Sequence, residues 1–293
     1  MSIPRTALSM VAALALLGLA QQPAAAQEPP GGTLKKIADS GHLLIGHRVS
    51  ARPFSFVGED GTITGYVIDL CREVAAEVKA ELGRQDLQTV FVPVSAGDRF
   101  EQLLDGKIDL LCGPTTNSLG RQQVMDFSSL TFVSGGSLLT RRDTGIDTLT
   151  DVDGRRVGVL TGTTTEAALK NALQRTGASP VMEPMSNHAA AVEALLAGKI
   201  DAYAGDRVIL IGLARDSANP GALSLARGLF SHEPYALAMR QNDSRFRNVV
   251  NRALSKTYGS SRITEIYGKW FGAMGARPSE LLRSLYVLQT FPD

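Results

Sequence analysis

The chain has 293 residues, 44% of them hydrophobic and 20% charged, with 30 Lys and Arg against 29 Asp and Glu. That content excludes a disordered polypeptide and fills one large or two ordinary cores. The near-zero net charge gives no support to binding nucleic acid or an anionic membrane through net charge.

Arg5 precedes an apolar run over 7–20, followed by Pro23 and Ala24-Ala25-Ala26, the layout of a secretory signal cleaved after Ala26. The run is shorter than the roughly 20 residues of a spanning helix, and no later stretch is long and apolar enough to cross a bilayer. Cleavage removes Arg5 and no acidic residue, so the mature chain is electrically balanced. After a Pro- and Gly-rich linker at 28–32, Leu43-Leu44-Ile45-Gly46 reads as a short strand. Residues 66–82 read as an amphipathic helix, with Val67, Leu70, Val74, Ala75 and Val78 at helical spacing. Strand 90–94, helix 100–104 and a buried strand 108–112 follow, the last ended by Gly113-Pro114. This alternation predicts an α/β sheet with helices on its faces. Cys71 and Cys112 are too few for a disulfide-built scaffold and lack metal or redox spacing. Whether they pair or lie apart as buried apolar residues stays open at this level.

The stretch from Leu103 through Gly106-Lys107-Ile108-Asp109 to Gly113 returns as Leu195 through Gly198-Lys199-Ile200-Asp201 to Gly205, with seven of eleven positions identical. Each copy closes a helix at Gly and leads through Lys-Ile-Asp into a strand. Ahead of the second copy, 156–160 reads as a strand, Thr161-Gly162-Thr163-Thr164-Thr165-Glu166 as a turn, and 167–173 as a helix. The duplication predicts two similar α/β lobes, with crossings between them in the strand-like stretches 137–140 and 235–239. Helices at 244–258 and 263–270 then pack on the first lobe, and 276–293 reads as a short helical tail.

Gly46-His47-Arg48 before Pro53-Phe54-Ser55-Phe56, then Gly65-Tyr66-Val67-Ile68-Asp69-Leu70, Asp109 through Arg121 to Asp126-Phe127-Ser128, and Gly162-Thr163-Thr164-Thr165-Glu166 stand in order with characteristic gaps. Together they resemble the periplasmic amino-acid-binding proteins of ABC transporters, solute-binding protein family 3, and in particular its glutamate/aspartate-binding group. The resemblance covers about Thr33 to Phe271. It implies the type II periplasmic-binding-protein fold: two α/β domains joined by a two-stranded hinge, with the ligand cleft between them. The expected division is a signal peptide at 1–26, a first lobe from 33–137 and 238–293, and a second lobe at 138–237. It also implies a periplasmic monomer that delivers an amino acid, glutamate or aspartate, to an inner-membrane ABC permease, without metal or cofactor.

A free amino acid is a zwitterion, so a dry cleft must offer donors to its α-carboxylate and acceptors to its α-ammonium. By the resemblance, Arg121 grips the α-carboxylate, for which a guanidinium is a bidentate match. Thr163 and Thr164 open a helix whose N-terminus clamps the same group from the second lobe. Asp206, the Pro114 carbonyl and the Thr116 hydroxyl are the acceptors for the ammonium. Arg48, Arg99 and His188 meet a distal carboxylate, and His188 is expected to titrate near neutral pH. Ala96 and Pro114 depart from the group's pattern by standing where serines are expected. Two other classes are weighed: a dehydratase on the same fold, and a sensory receptor without a permease. His42, His47, His188 and His232 form no metal spacing and no nucleophile motif is present, so no catalytic residue is expected.

Overall fold

The computed structural model describes residues 31–272 and 275–292; the expected signal at 1–26 lies outside them. The described chain opens with α1 (Gly32–Ser40), to which the sequence reading gave no element. It ends on Gly41 at φ 73°, whose N–H bonds the Ile37 carbonyl. Strand β1 (His42–Arg48) leads into β2 (Ser50–Ala51), β3 (Ser55–Val57) and β4 (Ile63–Thr64), which form a small antiparallel sheet. Helix α2 (Tyr66–Glu81) lies where the periodicity places it, followed by β5 (Gln88–Val94), α3 (Arg99–Leu104), β6 (Leu110–Cys112), α4 (Leu119–Gln122) and β7 (Asp126–Ser134). The next stretch runs β8 (Gly136–Arg141), β9 (Arg156–Leu160), α5 (Thr164–Thr176), β10 (Val181–Met185), α6 (His188–Leu196), β11 (Ala202–Asp206), α7 (Arg207–Asp216) and β12 (Leu223–Leu225). Strand β13 (Glu233–Met239) and helices α8 (Ser244–Tyr258), α9 (Arg262–Phe271) and α10 (Glu280–Leu288) complete it.

Two five-stranded sheets share one plan, with orders β5-β1-β6-β13-β7 and β10-β9-β11-β8-β12. In each, three parallel strands are followed by one strand running the other way, β13 or β8, and then by an edge strand, β7 or β12, antiparallel to that one. The repeated sequence explains this correspondence. The N–H of Asp109 bonds the Leu44 carbonyl while its carboxylate accepts from the Leu44 N–H; Asp201 does the same to Arg156. One side chain thus ties each β6-like strand to its parallel neighbour. The repeated isoleucines cover that neighbour where it has no side chain: a Cβ on Gly46 would collide with Ile108, and one on Gly158 with Ile200.

In the first lobe, α2, α8 and α9 seal an aromatic core in which Phe54 packs edge-on against Phe132 and Tyr235, with ring centroids 5.0 and 5.2 Å away. Cys71 of α2 is bonded to Cys112 of β6, so the pairing left open by sequence is made. Helix α10 joins this lobe through the Tyr286 hydroxyl, 2.6 Å from that of Tyr66, and through Gln289, whose side-chain amide bonds both the N–H and the carbonyl of Leu130.

Two antiparallel strands connect the lobes. Strand β7 passes into β8 at Gly135, and β13 pairs with β7 from Glu233 onward. The crossings therefore fall at Gly135 and just before Glu233, ahead of the expected 137/138 and 237/238 boundaries, because 233–239 pairs wholly within the first sheet. Glycine is required there: a Cβ on Gly135 would lie 2.5 Å from the Ser231 carbonyl oxygen of the other crossing.

Candidate functional site

Parallel strands leave their carboxyl ends open, and in both sheets those ends face one another. Arg48 ends β1, Arg99 opens α3, Pro114 and Thr116 follow β6, and Arg121 lies on α4. Opposite them, Thr163 and Thr164 open α5, His188 opens α6 and Asp206 ends β11. All nine residues singled out from sequence line a single cleft of about 470 Å³ of atom-free space, its mouth included, together with Leu160, Thr165, Tyr203 and Ile209. The lobes touch across it: Arg99 Nη2 donates to the Gly162 carbonyl at 3.3 Å, and Arg52 pairs with Asp216 at 3.0 Å.

Three guanidiniums gather on the first-lobe side. The Phe100 ring contacts two of them, with Arg99 at 4.1 Å and Arg121 at 4.8 Å from its centroid. Arg121 Nη1 also donates to the Thr116 carbonyl at 2.8 Å. Arg99 is only 4% exposed, and burial, then the charges of Arg121 and Arg48, pull its pKa down to about 9. Burial likewise lowers Arg48 and Arg121 from the usual arginine value. Among the described residues, none of these three cations forms an ion pair with a carboxylate, the partner that buried arginines normally hold.

One carboxylate, Asp206, lines the cleft, and a second, Glu233, lies behind its wall. Burial first, and neighbouring Glu233 second, raise Asp206 to about 7. Among the described residues, Arg99 Nη1 is buried without a hydrogen-bond partner; Asp206 Oδ1, the Tyr235 hydroxyl and Ser134 Oγ are buried with none inside ideal geometry, although the Tyr235 hydroxyl stands close enough to Asp206 to favour its ionised form. Glu233, at the start of β13, accepts from Thr116 at 2.6 Å, from Thr164 at 2.7 Å and from Ser231 at 2.6 Å.

One expectation needs correction. His188 does not titrate near neutral pH: burial, and then the Arg48 charge, hold it down at about 3. Its Nδ1 lies 2.7 Å from the Tyr203 hydroxyl, so the imidazole is neutral. The Thr163 hydroxyl caps α5, accepting from the Glu166 N–H and donating to the Leu160 carbonyl, which leaves the expected part of this helix N-terminus to its N–H groups. What the first turn of α5 presents to the cleft is therefore its backbone. Ala96 is buried near Gly162 at the contact between lobes, outside the cleft lining.

Sequence reasoning missed Glu233, Tyr203 and Phe100. Glu233 left a signal, as a lone charge heading the apolar stretch Tyr235-Ala236-Leu237-Ala238-Met239. Among the described residues no group of three or more His, Cys, Asp or Glu could hold a metal ion, and no helix is long and apolar enough to cross a membrane.

Residues 43–273 match the family described as bacterial extracellular solute-binding proteins, family 3. The chain is 33% identical over 270 residues to an L-glutamate/L-aspartate-binding protein of Pseudomonas aeruginosa, covering 91% of this chain and 88% of the relative. It is 29% identical over 271 residues to the glutamate/aspartate import solute-binding protein of Escherichia coli, covering 92% and 89%. Among solved structures, a mutant of ArgBP from T. maritima superposes with a TM-score of 0.73 at 26% identity, covering 82% of this chain and 99% of the other.

Proposed function

The chain belongs to the bacterial extracellular solute-binding proteins of family 3, and from that premise we propose that it captures glutamate or aspartate in the periplasm and hands it to an ABC permease. Its curated relatives are binding proteins of amino-acid transport and not enzymes. The observation that carries the acidic assignment is the cleft's charge. With Asp206 ionised beside a bound ammonium, three guanidiniums stand against the carboxylates of Asp206 in the wall and Glu233 behind it, and a neutral imidazole, an excess of one positive charge that a ligand of net charge −1 neutralises. A neutral amide leaves that excess in a poorly solvated space, and a cationic ligand adds to it.

In this reading Arg121 and the backbone N–H groups opening α5 hold the α-carboxylate. Asp206, Thr116 and the Pro114 carbonyl take the α-ammonium. Arg48 and Arg99 hold the distal carboxylate, with His188 as a neutral donor when its Nδ1 accepts from Tyr203. The unpaired Arg99 Nη1 supports this division, since a buried guanidinium donor needs an acceptor and the proposed distal carboxylate brings one. Calorimetry against the twenty amino acids tests it. Glutamate or aspartate should bind far more tightly than any other; tight binding of a cationic or large apolar amino acid, with neither acid bound, would refute the assignment.

A further inference from the structure

Glu233 does not line the cleft, yet two residues that do, Thr116 from the first lobe and Thr164 from the second, both reach it. It is 1% exposed, and among the described residues no Lys or Arg forms an ion pair with it. Its partners are three hydroxyls: Thr116 and Thr164 on Oε2, Ser231 on Oε1. We propose that Glu233 is a positioning residue that turns the Thr116 and Thr164 hydroxyls into acceptors, so that the closed cleft selects a ligand carrying an α-ammonium over the same diacid without it. The proposal rests on the amino-acid reading above and adds to it a residue outside the cleft wall.

The argument is one of proton counting. A hydroxyl has one proton to give and two lone pairs, whereas an ionised carboxylate only accepts. Thr116 lies 2.6 Å from Glu233 Oε2, so its proton is committed there. Thr164 lies 2.7 Å from the same oxygen and 3.1 Å from the Thr116 hydroxyl, and the shorter contact to a charged acceptor takes its proton too. Both hydroxyl oxygens then border the cleft with lone pairs only. They repel a carboxylate and attract an ammonium, in addition to Asp206. Because one threonine belongs to each lobe and Glu233 to the hinge, the acceptor pair exists only when the lobes are together.

The test compares L-glutamate with glutarate, the five-carbon diacid that lacks the amine, by calorimetry on the wild-type protein and on Glu233→Gln, Thr164→Val and Thr164→Ser. Wild type should prefer glutamate strongly. Glu233→Gln introduces an amide N–H that reverses one hydroxyl; Thr164→Val removes one acceptor while keeping the Glu233 charge. Each should shrink the glutamate-to-glutarate affinity ratio by about tenfold or more, and Thr164→Ser, which keeps the hydroxyl, should retain the ratio. If both ligands weaken by the same factor in Thr164→Val, the hydroxyls only latch the lobes and the proposal falls; it falls equally if Thr164→Val keeps the full ratio. Should wild type bind another amino acid and not glutamate, the acidic assignment fails by itself, and that amino acid with its amine-free counterpart supplies the same ratio for Glu233.

Discussion

Asp206 keeps its proton up to about pH 7 because burial and then Glu233 oppose its ionisation. Its pKa in the fold lies above the ordinary value of 3.8, so this group contributes stability below that value and loses it as pH rises through about 7. An ammonium at hydrogen-bond distance reverses the preference by favouring the carboxylate. Ligand binding should therefore release a proton near neutrality, and affinity should fall as pH drops through about 7. Calorimetry in two buffers of different ionisation enthalpy measures that proton directly; no release, with affinity flat across this range, would sink the assignment of Asp206. His188, held neutral at about 3, takes no part, so His188→Gln should leave the profile's midpoint in place. At this scale the charged residues of the cleft were legible through the family resemblance of the motifs around them, but their charge states were not. Those depend on how much water is excluded from each group, which no local pattern encodes.

At the scale of elements, the repeated aspartates show why part of the fold was legible. Gly106 and Gly198, at φ 72° and 69°, end helices α3 and α6 in the left-handed region, and the Lys-Ile-Asp that follows is fixed by its immediate neighbours. The partners of each aspartate were not legible, being far away in sequence. Asp109 is 0% exposed and receives Lys36 at 2.8 Å and Arg240 at 2.9 Å. Asp201 holds only Arg156 at 2.9 Å, a half-exposed partner. Asp109→Ala should thus destabilise the protein by about 3 kcal/mol or more, and Asp201→Ala by clearly less, since solvent screens its partner. Urea titration of both variants checks the order; equal losses would count against Asp109 as the stronger clamp. Helix α1 escaped the sequence reading although its buried Leu34 and Ile37 stand at helical spacing, because its start at Gly31-Gly32 reads as the end of a linker; β2 to β4 escaped it because two or three residues are too short for an alternating pattern.

At the scale of the whole molecule, closure joins residues of both lobes and the hinge: Thr116 and Thr164 on Glu233, Arg99 on Gly162, Arg52 on Asp216. These contacts are polar, but Ile209, Val208 and Leu213 of α7 also pack on the first-lobe core, so parting the lobes at the two strand crossings uncovers that apolar contact. Saturating glutamate should favour the closed arrangement and lower the radius of gyration in small-angle scattering, and an unchanged radius would remove closure from the mechanism. The sequence by itself determined the two-lobed α/β plan, the duplicated helix-Gly-strand unit and most of the charged residues of the cleft, because periodicity, glycine conformations and short motifs act between near neighbours. Only the tertiary structure decided that Cys71 meets Cys112, that His188 is neutral, that Thr163 is committed to its own helix, and that Glu233 stands behind the cleft. Each of these depends on distance and desolvation between segments remote along the chain, and folding alone brings those segments together.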